Sequence, residues 1–583
     1  MVSANSDGSG VLRVAVDPED LSDDVSTRFV ISDELADVSM ADWDKYYYPL
    51  AAYEPETDSP IPLYRTMWRH FVVPHLTEGD SSLMRVAFLH SRLSDRVKSE
   101  DVETIRCHEN VPETDRKIVA DVASQYDIST QLTPDSRDRT DLLAFCWMIA
   151  GLVPFFLDQV LSMLLRPLVA LPEQADTIFV PAVGRFESMQ PVIDRFDRDH
   201  VVLATPLTIV WYLKNPTPEM NAYDPIPANL LSTPRNIVRQ LTFLKRVWTQ
   251  EVRGRELATD LNDFFQREWG INSPRAIQHT VSQIYQADVF RRILVGIQIE
   301  NSIERFGSKQ VTTGTGSMLG RAILNAAERR GCTPYYIPHS VTAGHFAPIQ
   351  SERIRFFPGT LAEHHLRKSV PDVGSQEEFD NMKPAGRPYL TDLRSWVDSN
   401  NPGEDIDDRL RVVIGTQTYD DSVRERFVSL AIAGLGRLDV PVRAIIKVHP
   451  GEDPEFYSDV KGTDSVTVTV TDANLWAELG AADLLLTVNS NIGIEAVLAG
   501  TPCVCINLWE PFILDMLYAR HGPFPVLESE ESVETFFSEL RVEDLDSILN
   551  DEKAFVNKYF VLEEDTVQNV VDEMYRDLDE RAH

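Results

Sequence analysis

At 583 residues the chain exceeds what one hydrophobic core serves, and its 43% apolar content is enough for two or more packed units. The 91 acidic side chains against 55 basic ones leave a formal net charge of −36, and only 12 of the basic residues are lysines. A surface of that sign repels nucleic acid and anionic lipid headgroups, which argues against extended contact with either. An acidic excess with arginine favoured over lysine resembles the composition of proteins from salt-loving archaea, where high cytosolic salt screens self-repulsion.

Cys107, Cys146, Cys332, Cys503 and Cys505 are scattered and lack the paired spacing of a zinc site, the pattern of a reducing cytosol. Cys503 and Cys505 stand two apart in an apolar run and are expected on one face of a core strand. Met1 to Gly10 carries neither the basic patch nor the apolar centre of a secretory signal. These features predict a cytoplasmic protein.

Residues 1–135 are acidic, hold the aromatic cluster Tyr46-Tyr47-Tyr48 and show no regular strand-helix rhythm, so they read as a mixed N-terminal extension. Leu142 to Leu157 is uncharged but shorter than the roughly 20 residues needed to span a bilayer. With Val160 to Leu171, which contains Arg166 and Pro167, it reads as an apolar helical segment (136–175). Such a hairpin either packs on the body or presses on a membrane interface, making 142–171 the candidate for peripheral contact at the inner face of the cell membrane.

From Asp176 the pattern becomes strand, loop and helix. Thr177 to Pro181 is a short apolar run, Glu187 to Arg195 is helical, and Val201 to Ala204 is a second strand. Pro225 to about Phe306 reads mostly helical. Gln310 to Thr313 then leads through Gly314-Thr315-Gly316-Ser317 into a helix from Met318 to Arg330, and Pro334 to Ile337 begins another strand. Between about Lys368 and Asp408, Pro, Gly, Asp and Asn concentrate as in a connector.

Beyond the connector, strands are expected at 410–414, 442–447, 466–469, 484–487 and 502–506, with helices at 422–434, 474–480 and 492–499. Strands separated by single helices imply parallel sheets covered on both faces. The resulting class is α/β of GT-B plan, two Rossmann-like doubly wound domains facing across a cleft. The first spans 176–384, the second spans 385–545, and C-terminal helices follow over 546–583.

Two segments of the second half carry the chemistry. Lys447-Val448-His449-Pro450 ends a strand, where an imidazole can donate to a phosphate and the proline fixes the turn. Asn489-Ser490-Asn491-Ile492-Gly493-Ile494-Glu495 runs from a strand end into a helix, whose unpaired N–H groups and dipole attract phosphate. Ser490 adds a hydroxyl donor, and Glu495 can accept from ribose hydroxyls. In a purely structural role Ser490 or Asn491 caps the helix and Glu495 places a favourable charge in its first turns, and one role does not exclude the other.

On these segments the chain resembles the capsule and teichoic-acid type transferases of GT-B fold, including capsule Kdo transferases, polysialyltransferases and CDP-glycerol glycerophosphotransferases. Lys447 to Pro450 matches their K-x-H-P pattern, and Ser490 to Pro502 their S-x-x-G-x-E-A-x-x-x-G-x-P pattern, with Asn491 replacing a second serine. Ala385 to Asp392 resembles their G-x-P-x-x-D connector with one extra residue. The resemblance implies a nucleotide-activated sugar or polyol phosphate as donor, contacted by Lys447, His449, Ser490, Asn491, Gly493, Glu495 and, after the first strand of that half, Thr416. It also implies a glycan or lipid-linked acceptor, and surface polysaccharide or glycoprotein glycan as product; a site of this plan can stabilise the leaving phosphate with helix dipole and side-chain donors, so neither metal nor cofactor is expected.

His339 stands where the family carries a Q-H-G segment and is a candidate for phosphate contact or general base. Glu187, after the first strand of its half, is a second candidate base, and His449 a third catalytic candidate. His345 ranks lower, and His364-His365 reads as surface. Two rivals share the fold pattern: a UDP-GlcNAc 2-epimerase-like enzyme, and an inactive scaffold that binds a glycan or partner.

Overall fold

The computed structural model describes residues 11–15, 28–31, 45–46, 83–132, 153–181, 186–204, 223–246, 255–284, 290–314, 318–337, 354–369, 380–399 and 409–582, leaving out single positions or short stretches inside several of these spans. The chain forms two compact units. One comprises Met1–Phe186 with Arg198–Pro334, the other Glu187–Asp197 with Tyr335–His583.

The first unit holds an N-terminal parallel sheet of β1 (Val11–Ala15), β2 (Arg28–Val30), β3 (Thr104–Cys107) and β4 (Ser129–Gln131), in the order β2-β1-β3-β4. Helices α1 (Leu83–Ser99) and α2 (Glu113–Gln125) accompany it. This strand-helix rhythm is absent from the sequence reading for a physical reason. The strands are three to five residues long, Arg13, Arg28 and Arg106 interrupt them, and β4 is exposed throughout, so no apolar run marks them. Arg85 grips Asp115 through two hydrogen bonds of 2.9 and 2.7 Å and ties α1 to α2.

The same unit carries β5 (Thr177–Val180), β6 (His200–Ala204), β7 (Ile226–Pro227) and β8 (Gln310–Thr313), parallel and ordered β8-β5-β6-β7. Between β7 and β8 run α3 (Pro234–Arg246), α4 (Arg255–Trp269), α5 (Pro274–Ile284) and α6 (Phe290–Phe306), the mostly helical stretch expected there. Asp121 of α2 accepts from Ser273 Oγ and from the backbone N–H groups of Arg275 and Ala276, capping α5. Helix α7 (Met318–Arg329) is followed by Gly331 at φ +69° and then by β9 (Thr333–Tyr336).

In the second unit, Tyr335 and Tyr336 of β9 pair with β10 (Ile354–Phe357), which pairs with β11 (Met382–Pro384). Helix α8 (Leu361–Ser369) follows β10. A separate parallel sheet contains β12 (Leu410–Gly415), β13 (Val442–Lys447), β14 (Val466–Thr471), β15 (Leu484–Thr487), β16 (Cys503–Ile506) and β17 (Val526–Leu527). Its order is β14-β13-β12-β15-β16-β17, or 3-2-1-4-5-6 by occurrence, the Rossmann arrangement. Five of these six strands lie within a residue or two of the expected positions, and β17 had no expected counterpart.

Alternate residues of this sheet feed two cores. Val413, Ile445, Leu485, Cys503 and Cys505 face one, while Val412, Ile414, Ala444, Ile446, Leu486 and Val504 face the other. The first is covered by helices that include α10 (Leu475–Gly480), α11 (Ile492–Ala499), α12 (Leu517–His521) and α14 (Asp544–Tyr559); α9 (Asp421–Leu435) and α13 (Glu530–Glu539) line the second. The cysteine pair is core packing, as the spacing indicated.

A buried carboxyl sits beneath the first of these faces. Glu552 of α14 is fully enclosed and accepts the Cys503 N–H at 3.1 Å, and burial pushes its carboxyl up to about 8. Between the ordinary carboxylate range and about 8 the folded chain therefore binds more protons here than the unfolded one. The group's contribution is fully present at low pH and is lost as pH rises through that window. Glu552→Gln keeps an acceptor for Cys503 without the charge. We expect it to unfold like the wild type near pH 5 and to be the more stable of the two near pH 9, by about 1–4 kcal/mol in urea titrations.

Candidate functional site

The order of the six-stranded sheet reverses between β12 and β15, and ligands in open α/β sheets bind outside the carboxyl ends of strands at such a switch point. Three loops emerge there: 416–420 after β12, 448–453 after β13 and 488–491 after β15. Hydrogen bonds stitch them into one frame. The Thr416 hydroxyl accepts the His449 N–H at 3.1 Å and donates to Glu452 at 2.5 Å, while the Tyr419 hydroxyl reaches Asn489 Oδ1 at 2.5 Å.

Glu452 is the hub of this frame and was not among the residues singled out by sequence. Its side chain is 1% exposed, and besides Thr416 it accepts from Tyr457 Oη at 2.9 Å, Arg424 at 3.3 Å and the His449 N–H at 3.3 Å. Arg424 also stacks over Phe456, its guanidinium 4.0 Å from the ring centre. The signal available in the sequence was only an acid three residues after His449, a spacing that closes a turn.

His449 itself is exposed, and its Nδ1 accepts the Gly451 N–H at 3.0 Å. That bond keeps Nδ1 unprotonated in the neutral ring and puts the ring proton on Nε2, the tautomer that presents a donor away from the turn. Lys447, the last residue of β13, is nearly buried and donates to the Val448 carbonyl at 3.1 Å. Burial lowers the pKa of its ammonium, with Asp472 and Glu478 opposing.

The 489–495 segment behaves as a strand-to-helix turn. Ser490 Oγ accepts the Ile492 N–H at 3.4 Å, and the Ser490 carbonyl accepts from Tyr518 Oη at 2.6 Å. Asn491 occupies the N-cap position of α11 but makes no capping bond with its side chain, so of the two candidate caps only Ser490 acts as one. Gly493 is required by crowding, because a Cβ there would lie 2.3 Å from the Tyr518 hydroxyl. Gly500 ends the helix at φ +95°, the left-handed cap that a side chain resists.

Glu495, in the first turn of α11, is 9% exposed. Burial pushes its carboxyl up to about 7, against a hydrogen bond to Trp476 and the charge of buried Arg387. Trp476 and Trp396 lie with ring centres 6.3 Å apart. Glu495 is marked by its place at a helix start, but nothing in linear spacing connects Trp476 or Arg387 to it.

The structure thus brings Thr416 and His449 into direct contact and seats Lys447, Ser490, Asn491, Gly493 and Glu495 at or beside ends of the same sheet. Glu187, His339 and His345 lie outside the described residues. The adjacent histidines correct one expectation. His364 is exposed, but His365 is 1% exposed and its Nδ1 lies 2.7 Å from His521 Nε2. Burial lowers the pKa of His365 to about 3 and that of His521 to about 4, so the pair is neutral at ordinary pH. Helix α8 turns one histidine inward, which adjacency in sequence cannot reveal.

No family model matches the chain, and no curated protein matches it. Among solved structures it is similar to the UDP-GlcNAc 2-epimerase of Neisseria meningitidis bound to UDP-GlcNAc, at 11% identity and a TM-score of 0.41 over 69% of this chain and 99% of that one. MurG of Acinetobacter baumannii is similar at 14% identity and a TM-score of 0.41, over 70% and 100%. The wall teichoic acid polymerase TagF is similar at 12% identity and a TM-score of 0.33, over 60% and 100%. The class defined by the sheets themselves is α/β with parallel, Rossmann-ordered strands.

Proposed function

We propose that the chain is a glycosyltransferase that moves a sugar, or a polyol phosphate, from a nucleotide-activated donor to a glycan or lipid-linked acceptor. One observation carries this reading: the three loops at a Rossmann switch point are bonded into a single frame, which holds both the His449 turn, with the neutral ring's proton on Nε2, and the 488–491 loop that leads into α11. That is a set of fixed donors suited to a departing phosphate, and it needs no metal to neutralise charge.

In this reading the bond from the transferred group to the nucleotide phosphate breaks and the electron pair leaves on phosphate oxygen. His449, the Ser490 hydroxyl and the positive end of the α11 dipole stabilise it. Lys447 adds positive charge behind the strand end, Asn491 and Gly493 shape the turn, and Glu495 orients the nucleotide. An acceptor hydroxyl loses its proton to His339 or Glu187 as its oxygen forms the new bond. The product is a cell-surface glycan made on the cytoplasmic side.

Incubating the full chain with labelled nucleotide sugars and lipid-linked or oligosaccharide acceptors tests the reaction. Transfer of label to acceptor, at least 100-fold reduced in His449→Ala, is the expected result. Release of free UDP with an epimerised sugar, in the absence of acceptor, would replace this reading with epimerase chemistry.

A further inference from the structure

Two helices of the first unit wear their polarity inside out. In the helix at residues 156–165, Asp158, Gln159 and Ser162 are buried, while Leu157, Leu161 and Leu164 are 63%, 42% and 72% exposed. In α3, Gln240 and Asn236 are buried, while Val238 is 62% and Leu241 50% exposed. A helix on a water-facing surface does the opposite, because exposed apolar area is unfavourable and buried amides need partners.

The inversion is anchored. Asp158 accepts from the Asn229 amide, and Asn229 accepts from Gln298 of α6. Asn229 lies in the short turn Ala228–Leu231 that leads into α3, so one buried polar chain fastens the first helix, α6 and the approach to the second. Arg239 adds a tie from α3 to buried Glu300 at 2.6 Å.

Charge identifies what the outward faces meet. In a chain of net charge −36, no Asp or Glu occurs from Pro225 to Gln250, and α3 holds Arg235, Arg239, Lys245 and Arg246. Arg166 follows the other helix, and Arg235 is exposed. The whole-chain charge therefore does not describe this region.

We propose that these two faces dock on an anionic lipid bilayer. Leu157, Leu161, Leu164, Val238 and Leu241 enter the boundary between headgroups and acyl chains, and Arg235 meets lipid phosphates. Within 142–171 only the helix at 156–165 makes this contact, α3 joins it, and the local charge reverses the repulsion expected from the whole chain. It stands apart from the nucleotide reading. Among the described residues no helix is long and apolar enough to cross a membrane, and an interfacial helix has no need to be.

Flotation of the full chain with vesicles tests it. Phosphatidylcholine vesicles containing phosphatidylglycerol at about one part in three should carry at least roughly tenfold more protein than vesicles of phosphatidylcholine alone. Leu161→Glu with Leu164→Glu should abolish flotation, and so should Val238→Glu in the other helix, each with the wild-type unfolding midpoint. Arg235→Glu should lose the preference for the anionic vesicles. A wild-type chain that stays with the soluble fraction, or that floats equally with both vesicles, overturns the proposal. So does a Leu161→Glu, Leu164→Glu variant that still floats but turns from dimer to monomer in sedimentation, because the face would then belong to a second copy.

Discussion

Glu452→Ala is expected to destabilise the six-stranded domain by about 1–3 kcal/mol, the cost of leaving buried donors without their acceptor. The carboxylate has four donors in Thr416, Tyr457, Arg424 and the His449 N–H, and its side chain is 1% exposed. Alanine leaves Arg424 with Asp421 alone, and of the bonds between Thr416 and the 448–453 loop it removes the one from Thr416 to Glu452 while keeping the one from the His449 N–H. Glu452→Gln, which retains an acceptor for Thr416 and Tyr457, should restore at least half of the loss. Urea unfolding followed by tryptophan fluorescence measures both. An alanine variant as stable as the wild type would show that the hydrogen-bonded frame contributes little to holding the loops.

Gly493→Ala should cost about 1–3 kcal/mol and disable the turn that begins α11. The added methyl would stand 2.3 Å from the Tyr518 hydroxyl. That hydroxyl cannot simply swing away, because Tyr518 is completely buried, donates to the Ser490 carbonyl at 2.6 Å and packs on Phe524 with ring centres 4.6 Å apart. The collision is relieved only by moving α11 or by breaking the bond that holds Ser490. Either change displaces the residues proposed to contact phosphate. Tyr518→Phe removes the colliding oxygen, so the double variant should regain part of the stability but not the Ser490 contact.

The second Rossmann sheet was legible almost to the residue, because fully buried parallel strands such as 484–487 and 503–506 read as short apolar runs between helices. The N-terminal sheet was not legible, since arginines break its strands and β4 is exposed on both faces. At the site, His449, Ser490 and Glu495 were readable from their places at strand and helix ends. Glu452, Tyr419, Trp476 and Arg387 were not, because what makes them part of the frame is contact between segments up to about a hundred residues apart, which no periodicity encodes. The same holds for His365, whose burial depends on α12 supplying His521.

Thermal unfolding with CMP, CDP, UDP and GDP in high salt tests nucleotide binding at the ends of β12, β13 and β15. One of these should stabilise the wild type, by about 2.7 kcal/mol at ~100 times its dissociation constant. His449→Ala and Glu495→Ala should lose most of that gain while unfolding normally without nucleotide. No stabilisation by any of the four, or an equal response in both variants, would contradict it.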